Sequence, residues 1–468
     1  MRIKNAAFPW SISAFLVIAL WGCAATKIVD TARPEPRPLG SELGVYEAPL
    51  EPEKDSAALV TGREATGVIT LRQALALALM KNPELAGFSW EARSREAKTL
   101  QAGLIPNPSV GVEVENFGGS GPRSGLNATE TTIALSQLIE LGGKRFKRTR
   151  AAALERDLAG WDFEAKRLDV LTEVVKNFAD VLGAQQQVVY DAELVSLAEK
   201  THGTVSERVE AGKVSPLELT KAGVSLSNTK IGHERAKSDL AAARKKLAAM
   251  WGEASPAFDR AEGDLTLLSP VPSAEDLKKL LSNNPDITRW VKETEQRTAA
   301  LEVEKAKSIP DLTVSGGVRH FSDTDDNAFV LGLSIPIPLF DRNPGGVLEA
   351  RYKIAKARQE SRAAEAKAGS SLAESYKALA FSYEQSMALR NQVIPGAEHA
   401  FEAAGEGYRE GKFEFLELLD AQRTLFEARE KYLASLISYH KAKAEVERLI
   451  GESIESINKI NKNEGNGP

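Results

Sequence analysis

Gly407-Tyr-Arg-Glu-Gly-Lys-Phe-Glu-Phe-Leu-Glu-Leu-Leu-Asp-Ala-Gln-Arg-Thr-Leu425 decides the fold, because its centre is written twice in the chain. Ala211-Gly212-Lys213 with Leu217-Glu218-Leu219 stands about 200 residues before Glu410-Gly411-Lys412 with Leu416-Glu417-Leu418. Each glycine sits where a helix needs a left-handed stop. Ser215-Pro216-Leu217-Glu218 reads as a capping box with proline at the first helical position, so the chain is predicted to reverse within about four residues.

Outward from the first reversal, residues 144–211 contain no proline. Leu154, Leu158, Trp161, Ala165, Leu168, Leu171, Val175, Phe178 and Leu182 recur at steps of three and four, a coiled-coil seam. A helix of that length reaches about 100 Å, too long for a globular core. The matching helix over 346–411 carries Pro395, which is expected to kink it.

Before each long helix the period changes from helical to two. Val110, Val112 and Val114 alternate with Gly111, Glu113 and Glu115, and a Gly/Ser/Pro/Asn loop over 118–127 leads to a strand over 131–139. The second copy predicts strands over 312–321 and 329–337 around a polar loop at 323–327. Four strands cannot close a barrel, since the smallest transmembrane barrels use about eight, so their edges need other copies of the chain.

Still further out, Thr70-x-x-Gln73 caps a helix reaching Asn82-Pro83-Glu84, and Ser273-x-x-Asp276 caps one reaching Asn284-Pro285-Asp286. Ile105-Pro106-Asn107 and Ile309-Pro310-Asp311 lead into the strands, while Trp251-Gly252-Glu253 and Ile450-Gly451-Glu452 close the two copies. The expected class is mainly α with a small β part and an internal two-fold repeat, the copies spanning 70–254 and 273–452. Residues 453–468 are expected to be a disordered tail.

Met1-Arg-Ile-Lys, an apolar run over 6–20 and the small residues after it read as a signal peptide over 1–22. Its apolar run is shorter than the about 20 residues of a bilayer span. Leu20-Trp21-Gly22-Cys23 resembles a lipobox, which makes Cys23 the acylated first residue of the exported protein; the plainer reading is ordinary cleavage near Ala25. Residues 23–69 hold Pro34, Pro36, Pro38, Pro49 and Pro52 without periodicity and read as an extended tether.

The 60 Lys and Arg against 65 Asp and Glu give a net charge of −5, scattered with no basic stripe, which argues against nucleic acid as a partner. His202, His233, His320, His399 and His440 are dispersed, so neither a metal site nor a cofactor is expected. No Walker A sequence, nucleophile elbow or zinc-protease motif suggests an enzyme, and no catalytic residue is assigned.

The Ile-Pro-Asn-Pro lead into the strands, the Ile335-Pro-Ile-Pro-Leu339 exit and above all the Gly407–Leu425 stretch resemble TolC-family outer-membrane efflux proteins, in the CzcC/CusC-like heavy-metal branch. The resemblance covers residues 70–452. It implies a homotrimer whose strands form a shared twelve-stranded barrel among outer-membrane lipid, above a periplasmic barrel of coiled-coil helices. It also implies a passive duct fed by a periplasmic adaptor and an inner-membrane RND-type pump, with metal cations as the expected cargo. Drug efflux or protein secretion through the same duct is one alternative. A non-conducting trimeric coiled-coil scaffold is another, disfavoured because a scaffold needs no amphipathic strands.

By the same resemblance, Glu417 and Asp420, one turn apart, line the closed periplasmic end as rings of carboxylates, with Glu218 and Lys221 at the matching positions of the first copy. Spacing alone favours an ordinary solvated helix face and the resemblance favours the gate, while Lys221 offers a cross-helix partner for Glu417 or Asp420. The reversals, marked by Arg208, Gly212, Val214 and Leu217 and by Tyr408, Gly411, Phe413, Phe415 and Leu416, are candidates for adaptor docking. Turn chemistry alone explains the glycines, but not the apolar side chains beside them.

Overall fold

The computed structural model describes residues 34–51 and 66–464. The signal peptide and Cys23 lie outside the described residues. Strand β1 (Gly67–Thr70) runs straight into helix α1 (Leu71–Lys81). Thr70 and Gln73 close the expected capping box: the Thr70 N–H donates to Gln73 Oε1 at 2.9 Å, and the Gln73 N–H returns to Thr70 Oγ1 at 3.4 Å. Asn82 breaks the helix and caps the next, α2 (Pro83–Ala102), by accepting the Leu85 N–H at 2.9 Å.

A hairpin of β2 (Ser109–Glu115) and β3 (Glu130–Ile139) follows, then α3 (Lys144–Glu210), 67 residues without interruption. Helix α4 (Pro216–Ala249) returns along it and leads to β4 (Phe258–Glu262). The same order then recurs: α5 (Ala274–Leu280), α6 (Pro285–Lys307), the hairpin β5 (Leu312–Phe321) and β6 (Asp326–Ser334), a long descent through α7 (Pro344–Ala388) and α8 (Ile394–Arg409), and the return helix α9 (Phe415–Ile450). A last helix, α10, spans Ile454–Glu464.

The long helix is buried more widely than its seam. Val170, Val174 and Val181, off that seam, are as buried as Leu168 and Leu171, because α2, α4, α6 and α9 all pack on α3. Ion pairs tie it across the halves: Arg448 reaches Asp286 at 3.0 Å as well as Asp169, Lys441 holds Asp180 at 2.6 Å, and Arg429 holds Glu193 at 3.1 Å.

Pro395 is accommodated by a specific device. Between α7 and α8, residues Leu389–Val393 form a π turn, and the Ile394 N–H bonds the Leu389 carbonyl five residues back. Proline lacks an N–H and its ring crowds the carbonyl four residues earlier; a wider turn relieves both.

Four expectations need correction. The described residues contain six strands, not four, because β1 and β4 pair in parallel as a separate sheet. Strand β6 starts three residues before its expected start and ends at Ser334, since Pro336 and Pro338 supply no N–H to a ladder. The tail is helical where it was expected to be disordered: Ile454 and Ile457 are buried with Leu277 and Leu449, and the Ile454 N–H donates to Glu447 Oε1 at 2.9 Å. Finally, residues 34–51 contain neither helix nor strand but strap the body rather than hang from it. Arg167 donates to the carbonyls of Arg37 and Leu39 at 3.1 and 2.9 Å, the Leu39 N–H reaches the Gly451 carbonyl, and Ala48 is fully buried against α2.

Candidate functional site

The two reversals lie side by side at the end of the helices remote from the hairpins. Gly212 and Gly411 adopt φ of +68° and +75°, the left-handed conformation read from the sequence. The Lys213 N–H then reaches the Arg208 carbonyl and the Lys412 N–H the Gly407 carbonyl, both at 2.8 Å, satisfying the carbonyls of the ending helices.

The start of α4 departs from the expected capping box. Ser215 Oγ accepts the Leu217 N–H at 3.2 Å, but no reciprocal bond from Glu218 closes the box. Glu218 turns inward instead, its Oε2 buried with no hydrogen-bond partner, close enough to bear on the Tyr408 phenol. Burial pushes that phenol up, the Glu218 carboxylate adds to the rise, and the Arg208 cation opposes it.

A small core locks the reversals together. The Arg208 guanidinium lies 4.5 Å from the Tyr408 ring centroid and donates to the Tyr408 carbonyl, so the first reversal is bonded to the second. Phe415 stacks at a tilt on Tyr408 with centroids 5.8 Å apart, and Val205, Ala222, Ala404 and Leu418 complete the cluster. Tyr408 and Phe415 are therefore interior residues. Leu217, Phe413 and Leu416 are the exposed apolar side chains, at 59, 46 and 54 % exposure, and Val214 is half-buried. Phe413 lies over Gly407, where an added Cβ would meet its ring at 2.2 Å.

The acidic pair lies on the exposed face of α9 in the first turns after the reversal. Glu417 reaches back to its own helix start, Oε2 accepting the Glu414 N–H at 3.2 Å. Asp420 pairs with Arg423 at 2.8 Å rather than with Lys221. Arg423 escaped the sequence reading, although its place three residues after Asp420 gave the signal.

At the opposite end, β2-β3-β5-β6 form one antiparallel sheet whose outer strands, β2 and β6, have free edges. The register carries one apolar face across all four strands: Val112 lies opposite Ile133, Ile133 opposite Val318, and Val318 opposite Phe329. Phe329, Leu331 and Leu333 on the outermost strand are 88, 87 and 76 % exposed. The other face is polar, with Glu113, Thr132 and Arg319 in register. No helix among the described residues is long and apolar enough to cross a membrane. No three His, Cys, Asp or Glu side chains among them group as metal ligands.

A model described as outer membrane efflux protein matches residues 74–253 and 277–452, so the two halves match in succession. The cobalt-zinc-cadmium resistance protein CzcC of Cupriavidus metallidurans is 38 % identical over 390 residues, covering 83 % of this chain and 91 % of the relative. The nickel and cobalt resistance protein CnrC of the same organism is 28 % identical over 290 residues, 61 % of this chain and 67 % of the relative. Among solved structures, CusC superposes with a TM-score of 0.69 at 17 % identity, over 88 % of this chain and 99 % of CusC.

Proposed function

The chain belongs to the outer membrane efflux protein family, and from that premise we propose that three copies assemble into a duct for metal cations. It is an efflux channel of the outer membrane and not an enzyme. The observation that carries the trimer is the sheet: four strands with two free edges and an exposed apolar face, mounted on a 67-residue helix. Joining β6 of one copy to β2 of the next removes every edge after three copies, giving a barrel of twelve strands, within the range of outer-membrane barrels. The long helices then form a periplasmic wall, and the matching order of the halves reads as an internal duplication over 70–254 and 273–452.

In this reading the duct is passive and receives cargo from a periplasmic adaptor and an inner-membrane pump. The reversals dock the adaptor through exposed Leu217, Phe413 and Leu416, beside Gly212, Val214 and Gly411, while Arg208, Tyr408 and Phe415 hold their shape. Glu417 and Asp420, with Glu218 and Lys221 behind them, line the constricted end. Cys23 carries the lipid that anchors the exported chain. Metal cargo rests on the similarity to CzcC and CnrC, both named for metal resistance.

Planar-bilayer recording of the purified protein, with its mass measured in detergent, tests the proposal. A trimer that opens discrete pores is expected; a monomer, or a trimer that never conducts, overturns it.

A further inference from the structure

The polar face of the sheet holds an uneven set of charges. Following the register, Glu113 and Glu115 of β2, Glu130 of β3 and Asp326 of β6 share a face with one cation, Arg319 of β5. All five sit in the half of the sheet nearest the hairpin loops. Arg319 is spread over three strands. Its Nη2 lies 3.0 Å from Glu115 Oε2, its Nη1 lies 2.8 Å from Glu130 Oε2, and its Nε donates to Thr132 Oγ1 at 2.9 Å. Glu130 also accepts from Asn116 Nδ2 at 2.8 Å. Among the described residues, Glu113 and Asp326 have no such cation.

A guanidinium fork satisfied by two carboxylates on neighbouring strands is held in place, unlike a solvated arginine. It joins the first hairpin to the second and cancels one of the four negative charges on that face. We infer that Arg319 sets the charge selectivity of the duct at its outer mouth, by fixing how much of this acidic face remains uncompensated. The inference rests on the reading that the polar face lines the lumen of a trimeric barrel. Each protomer then presents four carboxylates and one guanidinium, a net charge of −3, to a water-filled passage, and a ring of fixed charge there favours ions of opposite sign. The apolar face on the same strands excludes the reverse orientation, because these carboxylates would then face lipid.

The test is the reversal potential of the reconstituted full-length trimer under a salt gradient. Arg319→Gln keeps the hydrogen bonds of a planar amide but removes three positive charges from the lumen; the ratio of cation to anion permeability is expected to rise about threefold or more. Arg319→Lys keeps the charge without the fork and is expected to retain the wild-type ratio. Glu113→Gln, outside the brace, is expected to lower the ratio and serves where Arg319→Gln does not assemble. Pores of wild-type conductance whose reversal potential is unchanged in Arg319→Gln, or in Glu113→Gln where Arg319→Gln does not assemble, overturn the inference while leaving the duct intact. A wild-type trimer without pores overturns the duct, and the inference with it.

Discussion

Asn284 Nδ2 donates to the carbonyl of Leu449 at 2.9 Å, fastening the start of the second half to the end of its last helix. The first half is fastened in the same way, Asn82 Nδ2 donating to the Met250 carbonyl at 2.8 Å. Both asparagines also cap the helix that follows, Asn284 by accepting the Asp286 N–H at 2.8 Å, and both are buried. One amide thus serves two helix ends. Asn284→Ala loses a cap and orphans a buried carbonyl, and is expected to cost about 2 kcal/mol or more. Asn284→Asp keeps the cap without the NH₂ donor and should recover only part of that. Denaturant unfolding of the two variants checks the order.

The proposed docking surface and the buried cluster beneath it are expected to respond differently to an added charge. Leu217→Asp and Leu416→Asp place charge on exposed side chains and are expected to weaken adaptor binding at least tenfold with little change in melting temperature. Phe415→Asp buries a charge in the cluster with Tyr408 and should loosen the reversal itself. Calorimetric binding to the adaptor beside hydrogen exchange over 205–219 and 404–418 distinguishes the cases. Equal binding by all three variants removes these residues from the docking surface.

Glu417→Ala with Asp420→Ala is expected to raise single-channel conductance and to weaken block by divalent cations. Because Asp420 pairs with Arg423, Arg423→Ala alone should act oppositely, strengthening the block by freeing the carboxylate. Conductance titrated with magnesium reads both; no change in either variant places the gate elsewhere.

Glu447 gives the helical end a pH dependence. Burial raises its carboxyl to about 7, against the pull of Lys443. The folded chain keeps a proton there that the unfolded chain has released, so this contribution to stability is present at low pH and is lost as pH rises towards about 7. Glu447→Gln should narrow the difference in melting temperature between about pH 5 and about pH 8 without abolishing the Ile454 N–H bond, since its amide oxygen still accepts.

Local rules carried much of the architecture. The capping box at Thr70, the glycine stops, the alternating valines of β2 and the absence of proline between Lys144 and Glu210 all act within a few residues, and the structure follows each of them. What escaped depends on partners distant in sequence. Gly67–Thr70 and Phe258–Glu262 show no alternation and become strands only by pairing with each other. The prolines near residue 36 suggested a free tether, yet Arg167, deep in α3, captures the carbonyls beside them. Arg208 and Tyr408 carry no mutual sign of their contact, and the inward turn of Glu218 follows from that cluster rather than from its capping position.

The π turn at Leu389–Val393 inserts one residue into an otherwise continuous rod, and each added residue advances the phase of a helix by about 100°. The wider turn takes up that residue: Leu379 and Ser386 before it, Leu389 at its start and Ala397 and Ala404 after it stay on one buried stripe, with the step from Leu389 to Ala397 one residue longer than two ordinary turns. A long helix can thus keep one face inward past a proline, whereas one further residue inserted after the turn, with no second wide turn to absorb it, would rotate the reversal-side half by about 100°.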